Sequence, residues 1–383
     1  MEKKSILFAA NYMNLGGVEK SLLSLMKALP ADEFDIHLAL MNGGGALFDK
    51  IPDNVTIHFI RPYGDAMTFL DHPVKETLRR LKKKEYRKAL KDFAAYCSAK
   101  MRGTLHPLYA YLMRDDHELT DTEFDLAVNY AGPSEMLDYY IVRHIRAKHK
   151  ALWIHFDLNH VFDRKKSSRM THGDYDRVFC VSEDSLRIYR KRYPQFADKA
   201  ELFPNIIDGE EVMTLAEAPG IFTQLTGAIN LVTVGRLEHI KGQDIALRAL
   251  ALLPPHYHWH FVGGDTCGEA EKLNALSRRL DVDSRAHFHG MQPNPYPFMK
   301  GADIYVQPSR SEGSPLTLAE IKLFGIPIVT TPFVSAPQLL QDCCERTVIA
   351  GAIDAPALAR AIVEATEITR NSAGRRIFAT NGH

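Results

Sequence analysis

The sequence has few cysteines and no net charge. Its 383 residues include five cysteines, none of them in a C-x-x-C pair. An odd number of scattered cysteines in a long chain argues against a disulfide framework and favours a reducing compartment. Lysine plus arginine and aspartate plus glutamate number 47 each, so the molecule as a whole does not attract nucleic acid or an anionic membrane. Any such attraction must come from a local patch.

Long apolar runs are missing as well. No stretch approaches the roughly 20 apolar residues that span a bilayer. The N-terminus passes from Met1-Glu-Lys-Lys directly into a strand-like run, Ser5–Asn11, without the apolar core and cleavage site of a secretory signal. We therefore expect a cytoplasmic protein that is neither exported nor membrane-spanning.

Short β-rich runs alternate with helical patterns along most of the chain, which indicates βα units and parallel sheets. The length suits two domains with a cleft between them. The segment Ile207–Asn230 lacks a strong period and carries Gly209, Pro219 and Gly227, so we place an interdomain linker there and assign residues 1–206 and 207–383 to two doubly wound domains. The predicted strands are Ser5–Asn11, Asp35–Asn42, Thr56–Ile60, Leu126–Tyr130, Ala151–Phe156, Arg177–Ser182, Ala200–Phe203, Leu231–Gly235, His258–Gly264, Ala286–Gly290, Ile304–Pro308, Ile326–Thr331 and Thr347–Ala350.

The strongest local signal is the segment Ser309–Glu320, directly after the apolar run Ile304–Pro308. It predicts a strand, a tight loop and a helix with Ser314 as N-cap and Pro315 as first residue. Free amides at such a helix start favour an anion, for example a phosphate. The residues expected around this ligand are Glu312, Gly313, Ser314, Pro315, Leu316, Thr317 and Glu320. The alternative is a capped helix with one exposed and one salt-bridged glutamate.

The second signal is Val234–Gly242, which follows the strand Leu231–Gly235. Its two cations, Arg236 and Lys241, stand five residues apart in a glycine-bounded βα loop. They can therefore grip a diphosphate from two directions through charge-assisted hydrogen bonds. The alternative is a solvated loop with unpaired charges.

Two weaker signals lie in the first half of the chain. Gly16 and Gly17 in the first βα turn let the backbone come close to a ligand. The turn is not G-x-G-x-x-G, and the next strand ends without an acidic residue for a ribose, which disfavours a nicotinamide enzyme. His155 lies at the C-terminal end of the run Ala151–Phe156, next to its last residue, on the side where a cleft is expected. The alternatives are a turn that needs glycine only for its geometry, and a structural histidine.

A basic segment breaks the βα pattern. Between Lys75 and Arg102 there are eleven Lys/Arg and three acidic residues. Apolar residues recur there at helical spacing, which predicts one basic amphipathic helix near 74–102 and a second helix after Pro107. The helix either binds an anionic membrane surface or covers the sheet as a solvated helix. The cations expected to face lipid are Arg79, Arg80, Lys82, Lys83, Lys84, Arg87, Lys88 and Lys91.

In their order, these motifs resemble the family-4 retaining glycosyltransferases, which have the GT-B fold. The resemblance rests on the Gly-Gly loop, the strand-end histidine, Pro204–Asp208, Gly-Arg-x4-Lys-Gly and Glu-x7-Glu, and it is most specific from Leu231 to Leu340. It implies an N-terminal domain on the acceptor side and a C-terminal domain that binds the nucleotide sugar. The segment Asn205–Asp208 reads Asn-Ile-Ile-Asp where the family has Asn-Gly-Ile-Asp.

The resemblance also implies roles for the candidate residues. Arg236 and Lys241 would bind the donor diphosphate, Glu320 the ribose, and Glu312 the donor sugar near the reacting centre. Gly16, Gly17 and His155 would approach the phosphate, the acceptor and the sugar. No cofactor or essential metal is expected, and the two D-x-D strings, Asp174–Asp176 and Asp281–Asp283, precede strands and are interpreted as turns.

The expected partners are a nucleoside-diphosphate-sugar donor and a glycan or glycolipid acceptor, such as a lipid-linked glycan or a cell-envelope polysaccharide. No nucleic acid is expected. Two other functions remain open: a sugar-nucleotide epimerase of the same fold, and a catalytically silent GT-B partner subunit. The paired motifs Arg-x4-Lys and Glu-x7-Glu favour the transferase.

Overall fold

The computed structural model describes residues 3–60, 72–132, 135–155, 172–220, 222–265 and 267–380, with side chains to residue 368 in the last helix. The chain divides into two compact units, Met1–Ile206 and Ile207–His383. Each unit contains one parallel sheet. Phe156, the last residue of one predicted strand, lies outside the described residues.

The N-terminal sheet has seven parallel strands in the order β3-β2-β1-β4-β5-β6-β7. The strand β1 has the sequence KSILFAA and is buried over its last five residues, as expected for a strand covered on both faces. The order reverses between β1 and β4, where ligands bind in open α/β sheets. The strands are β1 (Lys4–Ala10), β2 (Phe34–Leu40), β3 (Val55–Phe59), β4 (Glu123–Asn129), β5 (Arg146–Ile154), β6 (Arg177–Cys180) and β7 (Ala200–Leu202).

The helices of this unit pack on the sheet through separate apolar clusters. Leu22, Leu25 and Met26 of the first helix, for example, are buried against the face of the sheet that contains Ile6 and Phe8. The helices are α1 (Gly17–Ala28), α2 (Pro73–Lys82), α3 (Tyr86–Arg102), α4 (His106–Leu112), α5 (Glu135–Tyr139) and α6 (Glu183–Arg192).

The basic segment differs from the prediction. It forms two helices, α2 and α3, instead of one, because Lys84 between them has a left-handed φ of 62°. A third helix, α4, includes Pro107 and agrees with the predicted second helix. Arg80, expected to be exposed, is buried and pairs with Glu76 and Asp92.

The C-terminal sheet has six parallel strands in the order β10-β9-β8-β11-β12-β13, with its reversal between β8 and β11. The strands are β8 (Ile229–Val234), β9 (Tyr257–Val262), β10 (Ala286–Phe288), β11 (Ile304–Gln307), β12 (Ile328–Thr330) and β13 (Thr347–Ile349). The helices are α7 (Gly209–Ala216), α8 (Gln243–Leu252), α9 (Glu269–Arg279), α10 (Tyr296–Lys300), α11 (Leu316–Lys322), α12 (Ala336–Leu339) and α13 (Ala355–Thr380).

Two local predictions for this unit are wrong. The proposed linker contains the helix α7, whose Val212 and Ala216 are buried in the same cluster as Phe298 of α10. The helix after β11 begins at Leu316 and has Pro315 as its N-cap, without a side-chain cap from Ser314. The shift of one residue arises because Pro315 has an extended ψ of 120°.

Candidate active site

A salt bridge between Lys241 and Glu312 lies at the centre of the candidate site. The Nζ of Lys241 lies 2.8 Å and 2.9 Å from the two carboxylate oxygens of Glu312. Both side chains are largely buried, with 21% and 8% of their surface exposed. The sequence predicts both residues as ligand-binding candidates on separate loops, and the structure brings them together although 71 positions separate them.

The two loops meet because β8 and β11 are neighbours in the sheet. Lys241 ends a short 3₁₀ turn, His239–Lys241, that follows β8. Gly242 comes next with a φ of 72°, and a Cβ atom there would overlap the carbonyl oxygen of Pro308 at the end of the other strand. Glycine is therefore required by the backbone conformation and by the close approach of the two loops. This approach sets Lys241 against Glu312.

Buried polar side chains support Glu312 from the interior. Its Oε1 accepts hydrogen bonds from the Ser309 hydroxyl at 2.6 Å and from the Gln307 amide at 2.9 Å. Gln307 in turn accepts a hydrogen bond from the Tyr305 hydroxyl at 2.7 Å. Tyr305, Gln307 and Ser309 are each at most 1% exposed. Together with Lys241, this network fixes the carboxylate of Glu312 in one orientation.

Sequence analysis alone misses these three supports, because it treats 304–308 only as an apolar strand and gives Ser309 no contact with Glu312. The available signal is their spacing. Tyr305, Gln307 and Ser309 occupy alternate positions, and alternate side chains of a strand point to the same face. A polar pattern of period two that ends at a functional loop could have identified them.

Arg236 lies on the loop after β8 but does not contact the Lys241–Glu312 pair. Its guanidinium is 56% exposed and lies 2.8 Å from the Glu238 carboxylate. Its backbone oxygen accepts a hydrogen bond from the buried Gln243 side chain at 2.8 Å. A phosphate bound by Arg236 would therefore compete with Glu238 for the guanidinium.

A second ion pair holds the loop after β11. Arg310 makes two hydrogen bonds of 2.7 Å to the carboxylate of Asp244, in the first turn of α8. Its backbone amide also donates to the carbonyl of Ile240 at 2.8 Å. Burial raises the pKa of Asp244, but the hydrogen bond and charge of Arg310 outweigh it, so that the pKa lies below its usual value. This two-point pair ties the loop of Glu312 to the loop of Lys241.

The turn before α11 presents backbone donors. Within the part of the chain that the structure describes, the amides of Gly313, Ser314, Leu316 and Thr317 have no hydrogen-bond partner in the protein. Pro315 has no amide hydrogen. These four N–H groups follow Glu312 directly and are available to the oxygens of an anion.

Glu320 is buried on α11, with 3% of its surface exposed. Its Oε1 accepts a hydrogen bond from the Tyr296 hydroxyl at 2.8 Å. Burial, together with the charge of Glu320, raises the pKa of Tyr296, so this phenol stays protonated as a donor. The sequence does not reveal Tyr296, which belongs to the separate helix α10.

The two glycines of the N-terminal unit lie at the start of α1. Gly16 precedes the helix and Gly17 begins it. Gly16 has an extended backbone with a φ of −132°, so conformation does not demand glycine there. A Cβ atom at this position would instead overlap the Glu19 carboxylate. The Glu19 carboxylate therefore lies at the start of this 12-residue helix, where an anionic ligand would also be attracted.

His155 follows β5 and packs against the ring of Tyr130 at a centroid distance of 4.6 Å. The Tyr130 hydroxyl lies 2.9 Å from the Ser21 hydroxyl of α1, which connects the histidine to the helix of Gly17. Burial lowers the pKa of His155 to about 3, so the ring is neutral at physiological pH. Its Nε2 is buried without a hydrogen-bond partner among the described residues and could hydrogen-bond a substrate hydroxyl.

The described residues contain no group of three or more His, Cys, Asp or Glu side chains that could hold a metal ion. In the D-x-D strings, Asp176 accepts a hydrogen bond from the backbone amide of Lys150 at 2.8 Å, and Asp281 has a left-handed φ of 56°. Both contribute to turns in this structure. Among the described helices, none is long and apolar enough to cross a membrane.

The C-terminal unit matches a known family. Residues 228–367 match the family described as glycosyl transferases group 1, and this range includes Arg236, Lys241, Glu312 and Glu320. A glycosyltransferase of Methanocaldococcus jannaschii, MJ1059, is 26% identical over 190 residues, which cover 47% of this chain and 45% of that protein. The lipopolysaccharide glucosyltransferase WaaG of Escherichia coli is 26% identical over 187 residues, which cover 46% and 50%. The chain thus spans about half the length of these two curated relatives.

The whole chain resembles solved structures of the same fold. Anabaena Alr3699/HepE, in complex with UDP and glucose, superimposes with a TM-score of 0.65 at 18% identity and covers 95% of this chain and 91% of its own. This likeness confirms the predicted GT-B fold. The C-terminal unit is similar in sequence to glycosyltransferases, and the activity of the whole chain stays a prediction. The individual residue roles stay predictions.

Proposed function

Because the unit that contains the Lys241–Glu312 pair matches the group 1 glycosyl transferases, we propose that the whole chain transfers a sugar from a nucleoside diphosphate sugar to a glycan in lipopolysaccharide or polysaccharide biosynthesis. The observation that carries the proposal is the buried pair itself, which stands next to four free amides at the end of β11. A cation, a carboxylate and a row of N–H donors suit a substrate that contains both a sugar and a diphosphate.

The donor diphosphate would bind to Lys241 and to the amides of Gly313, Ser314, Leu316 and Thr317. Lys241 would then exchange one of its contacts with Glu312 for a phosphate oxygen. Arg236 would leave Glu238 to meet the diphosphate from the other side. UDP is the first candidate nucleotide, because Anabaena Alr3699/HepE is similar in fold and its structure contains UDP. Glu320 and Tyr296 would hold the ribose.

The chemistry would rest on electrostatic stabilisation. As the bond between the sugar C1 and the β-phosphate breaks, negative charge grows on the phosphate, and Lys241, Arg236 and the loop amides stabilise it. The acceptor hydroxyl would attack from the same face and give its proton to that phosphate, so that the anomeric configuration is retained. Glu312, held by several hydrogen bonds, would position the sugar and stabilise positive charge at C1. His155 would contact the sugar as a neutral hydrogen-bonding group, and Gly16 and Gly17 would approach the acceptor.

The acceptor would be a lipid-linked glycan or a cell-envelope polysaccharide. Several similar proteins act in lipopolysaccharide biosynthesis by name, and the basic helices α2 and α3 favour an anionic surface. We therefore propose that the enzyme works at the cytoplasmic face of a membrane, without an essential metal or cofactor.

The proposal is tested by thermal unfolding with UDP, GDP, ADP and CMP. A nucleotide at about 100 times its Kd adds roughly 2.7 kcal/mol to the stability, a shift of several degrees. One nucleotide should produce this shift in the parent protein, and Lys241→Ala or Glu320→Ala should abolish most of it, because each removes a charged contact of roughly 1.5–3 kcal/mol. Lys272→Ala, which removes an exposed ion pair with Glu269 on α9, is the matched control and should keep the full shift.

The outcomes separate the competing functions. If no nucleotide shifts the unfolding temperature, the result favours a silent partner subunit, or a donor pocket that forms only when acceptor or membrane is present. If the nucleotide binds but incubation with its sugar only interconverts the sugar epimers, the chain is an epimerase. Equal shifts in the parent and in both site variants would contradict the assignment of the site.

A further inference from the structure

A stripe of large apolar side chains on α2 and α3 is exposed to solvent. On α2 it consists of Val74, Leu78 and Leu81, and on α3 of Tyr86, Leu90 and Phe93. Each set repeats at intervals of four and three residues and therefore lies on one face of its helix. Leu78 is 54% exposed and Leu90 is 71% exposed. We call these six residues the apolar stripe.

The side of the two helices that is buried carries charged groups beside two small apolar residues, Ala89 and Ala99. Glu76, Arg80 and Asp92 are each at most 3% exposed. Arg80 pairs with both carboxylates, and Arg79 adds hydrogen bonds of 2.6 Å and 2.5 Å to Glu76. In a helix pair whose outer face contacts only water, leucines normally occupy the buried positions and charged residues the exposed ones. The ion-pair network holds the apolar stripe outward.

Positive charge surrounds the stripe. Lys75 and Lys82 on α2, and Arg87 and Lys91 on α3, are exposed at helix positions that border it. Glu85 is the one exposed carboxylate on the segment from Lys75 to Arg102. An apolar face bordered by lysine and arginine is the pattern of helices that lie in the interface of an anionic bilayer.

We propose that the apolar stripe inserts into the headgroup region of an anionic lipid bilayer and anchors the N-terminal unit there. The proposal deepens the proposed function, from which it takes the membrane-linked acceptor. A second copy of the chain fits the stripe poorly, because two such strongly basic surfaces would repel each other. The surrounding lysines and arginines match anionic headgroups in charge, and the apolar side chains match the acyl boundary.

The first experiment is co-sedimentation of the full chain with vesicles of phosphatidylcholine alone and of phosphatidylcholine with phosphatidylglycerol. We expect binding only to the anionic vesicles. The double variant Leu78→Ser/Leu90→Ser should bind about a hundredfold more weakly, since each leucine contributes about tenfold. Leu252→Ser, which changes an equally exposed leucine of the C-terminal unit, is the matched control and should bind like the parent.

The second experiment reports insertion directly. The only tryptophans of the chain, Trp153 and Trp259, are buried, so their emission should not respond to lipid. Leu90→Trp therefore provides a fluorescent probe within the apolar stripe. On anionic vesicles its emission should shift to shorter wavelength and be quenched by brominated lipid. Leu252→Trp should show neither change.

Three results would overturn the proposal. One is failure of the parent to bind anionic vesicles, and another is unchanged Leu90→Trp emission when the protein is bound. The third is a dimer of the parent that Leu78→Ser/Leu90→Ser dissociates, which would make the stripe a contact between copies. Nucleotide-dependent thermal shifts, measured on the same variants, separate this failure from a failure of the proposed function, because the stripe lies in the other unit.

Discussion

At the scale of single residues, the orientation of Glu312 depends on Ser309 as well as on Lys241. The Ser309 hydroxyl donates the shortest of the hydrogen bonds to the carboxylate, at 2.6 Å, and is fully buried. Ser309→Ala should lower kcat by roughly tenfold to a hundredfold, the effect of losing about 1.5–3 kcal/mol from a bond to a charged group. The donor KM should change little, because the diphosphate contacts remain.

The matched control is Ser335→Ala. Its hydroxyl donates to the backbone oxygen of Glu312 at 3.1 Å and not to the carboxylate, so that kcat should stay near the parent value. Equal losses of kcat in the two variants would mean that Ser309 only stabilises the loop. Steady-state kinetics with the nucleotide sugar identified by thermal unfolding would distinguish these results.

The sequence predicts the charged residues of the site better than their partners. Lys241 and Glu312 stand out because a charged residue in a glycine-containing loop directly after a strand can be recognised from the local sequence. Their contact cannot be predicted from the local sequence, because it depends on the pairing of β8 with β11 and on the backbone overlap that Gly242 avoids. The same holds for Tyr296, which reaches Glu320 from a different helix.

At the scale of elements, the break between α2 and α3 has no sequence marker. Neither glycine nor proline separates the two helices, and Lys84 adopts a left-handed φ of 62°. Such a conformation costs a residue with a Cβ atom about 1–2 kcal/mol. Lys84→Gly should therefore raise the stability of the N-terminal unit by up to about 1 kcal/mol.

Lys83→Gly is the control for this prediction. Lys83 is exposed and has a φ of −79°, so that glycine there gains nothing and should destabilise the unit. Urea unfolding followed by the fluorescence of Trp153, in a Trp259→Phe background, would measure both variants. A loss of stability with Lys84→Gly would argue that the two helices form one continuous helix in solution.

Four histidines form a ladder along β9 and along β10 with the residue directly after it. His258 and His287 lie 3.0 Å apart between ring nitrogens, and so do His260 and His289. Asn230 lies 3.3 Å from the other nitrogen of His260. Burial, followed by the charges of the neighbouring histidines, lowers the pKa of His260 to about 3. The ladder is therefore neutral at pH 7.

This ladder should make the C-terminal unit sensitive to acid. Because the pKa of His260 is lower in the folded state than in the unfolded state, the unfolded chain takes up the proton first as the pH falls. The contribution of His260 to the free energy of unfolding is therefore complete above about pH 6.5 and decreases as the pH falls toward 3. From pH 7.5 to pH 5, protonation of His260 in the unfolded chain should by itself lower the free energy of unfolding by about 2 kcal/mol. Phe222 and Phe298, which pack near the ladder, offer no charge to offset this loss.

The measurement is urea unfolding at both pH values, followed by Trp259 in a Trp153→Phe background. His260→Gln should reduce the pH dependence by about 2 kcal/mol, whereas the exposed His149→Gln should leave it unchanged. If His260→Gln unfolds with the same pH dependence as the parent, the histidine is protonated in the folded state.

At the scale of the whole molecule, the sequence predicts the fold well because each strand is a short apolar run bounded by turns. All thirteen predicted strands are present, with ends that differ by a few residues. The predictions fail where tertiary contacts determine whether a helix forms or which of its faces is exposed. The helix α7 has little apolar period of its own and forms because Val212 and Ala216 pack against α10. The exposure of the apolar stripe to solvent likewise depends on the pairing of Arg80 with Asp92, which the sequence does not reveal.

The stereochemistry of the proposed reaction tests its mechanism at the scale of the whole chain. Glu312 is the carboxylate that we propose faces the reacting centre, and Lys241, Ser309 and Gln307 all hold it. Because these contacts occupy its oxygens, we expect Glu312 to position the sugar and not to attack C1, so that the acceptor enters on the face that the diphosphate leaves. With UDP as the candidate nucleotide and glucose as a trial sugar, slow hydrolysis of UDP-glucose in D₂O provides a test that needs no acceptor. The α-anomer of free glucose should appear first in proton NMR spectra, before mutarotation, and Lys241→Ala should release almost none. Initial release of the β-anomer would show that water attacks from the opposite face and would refute the retaining mechanism.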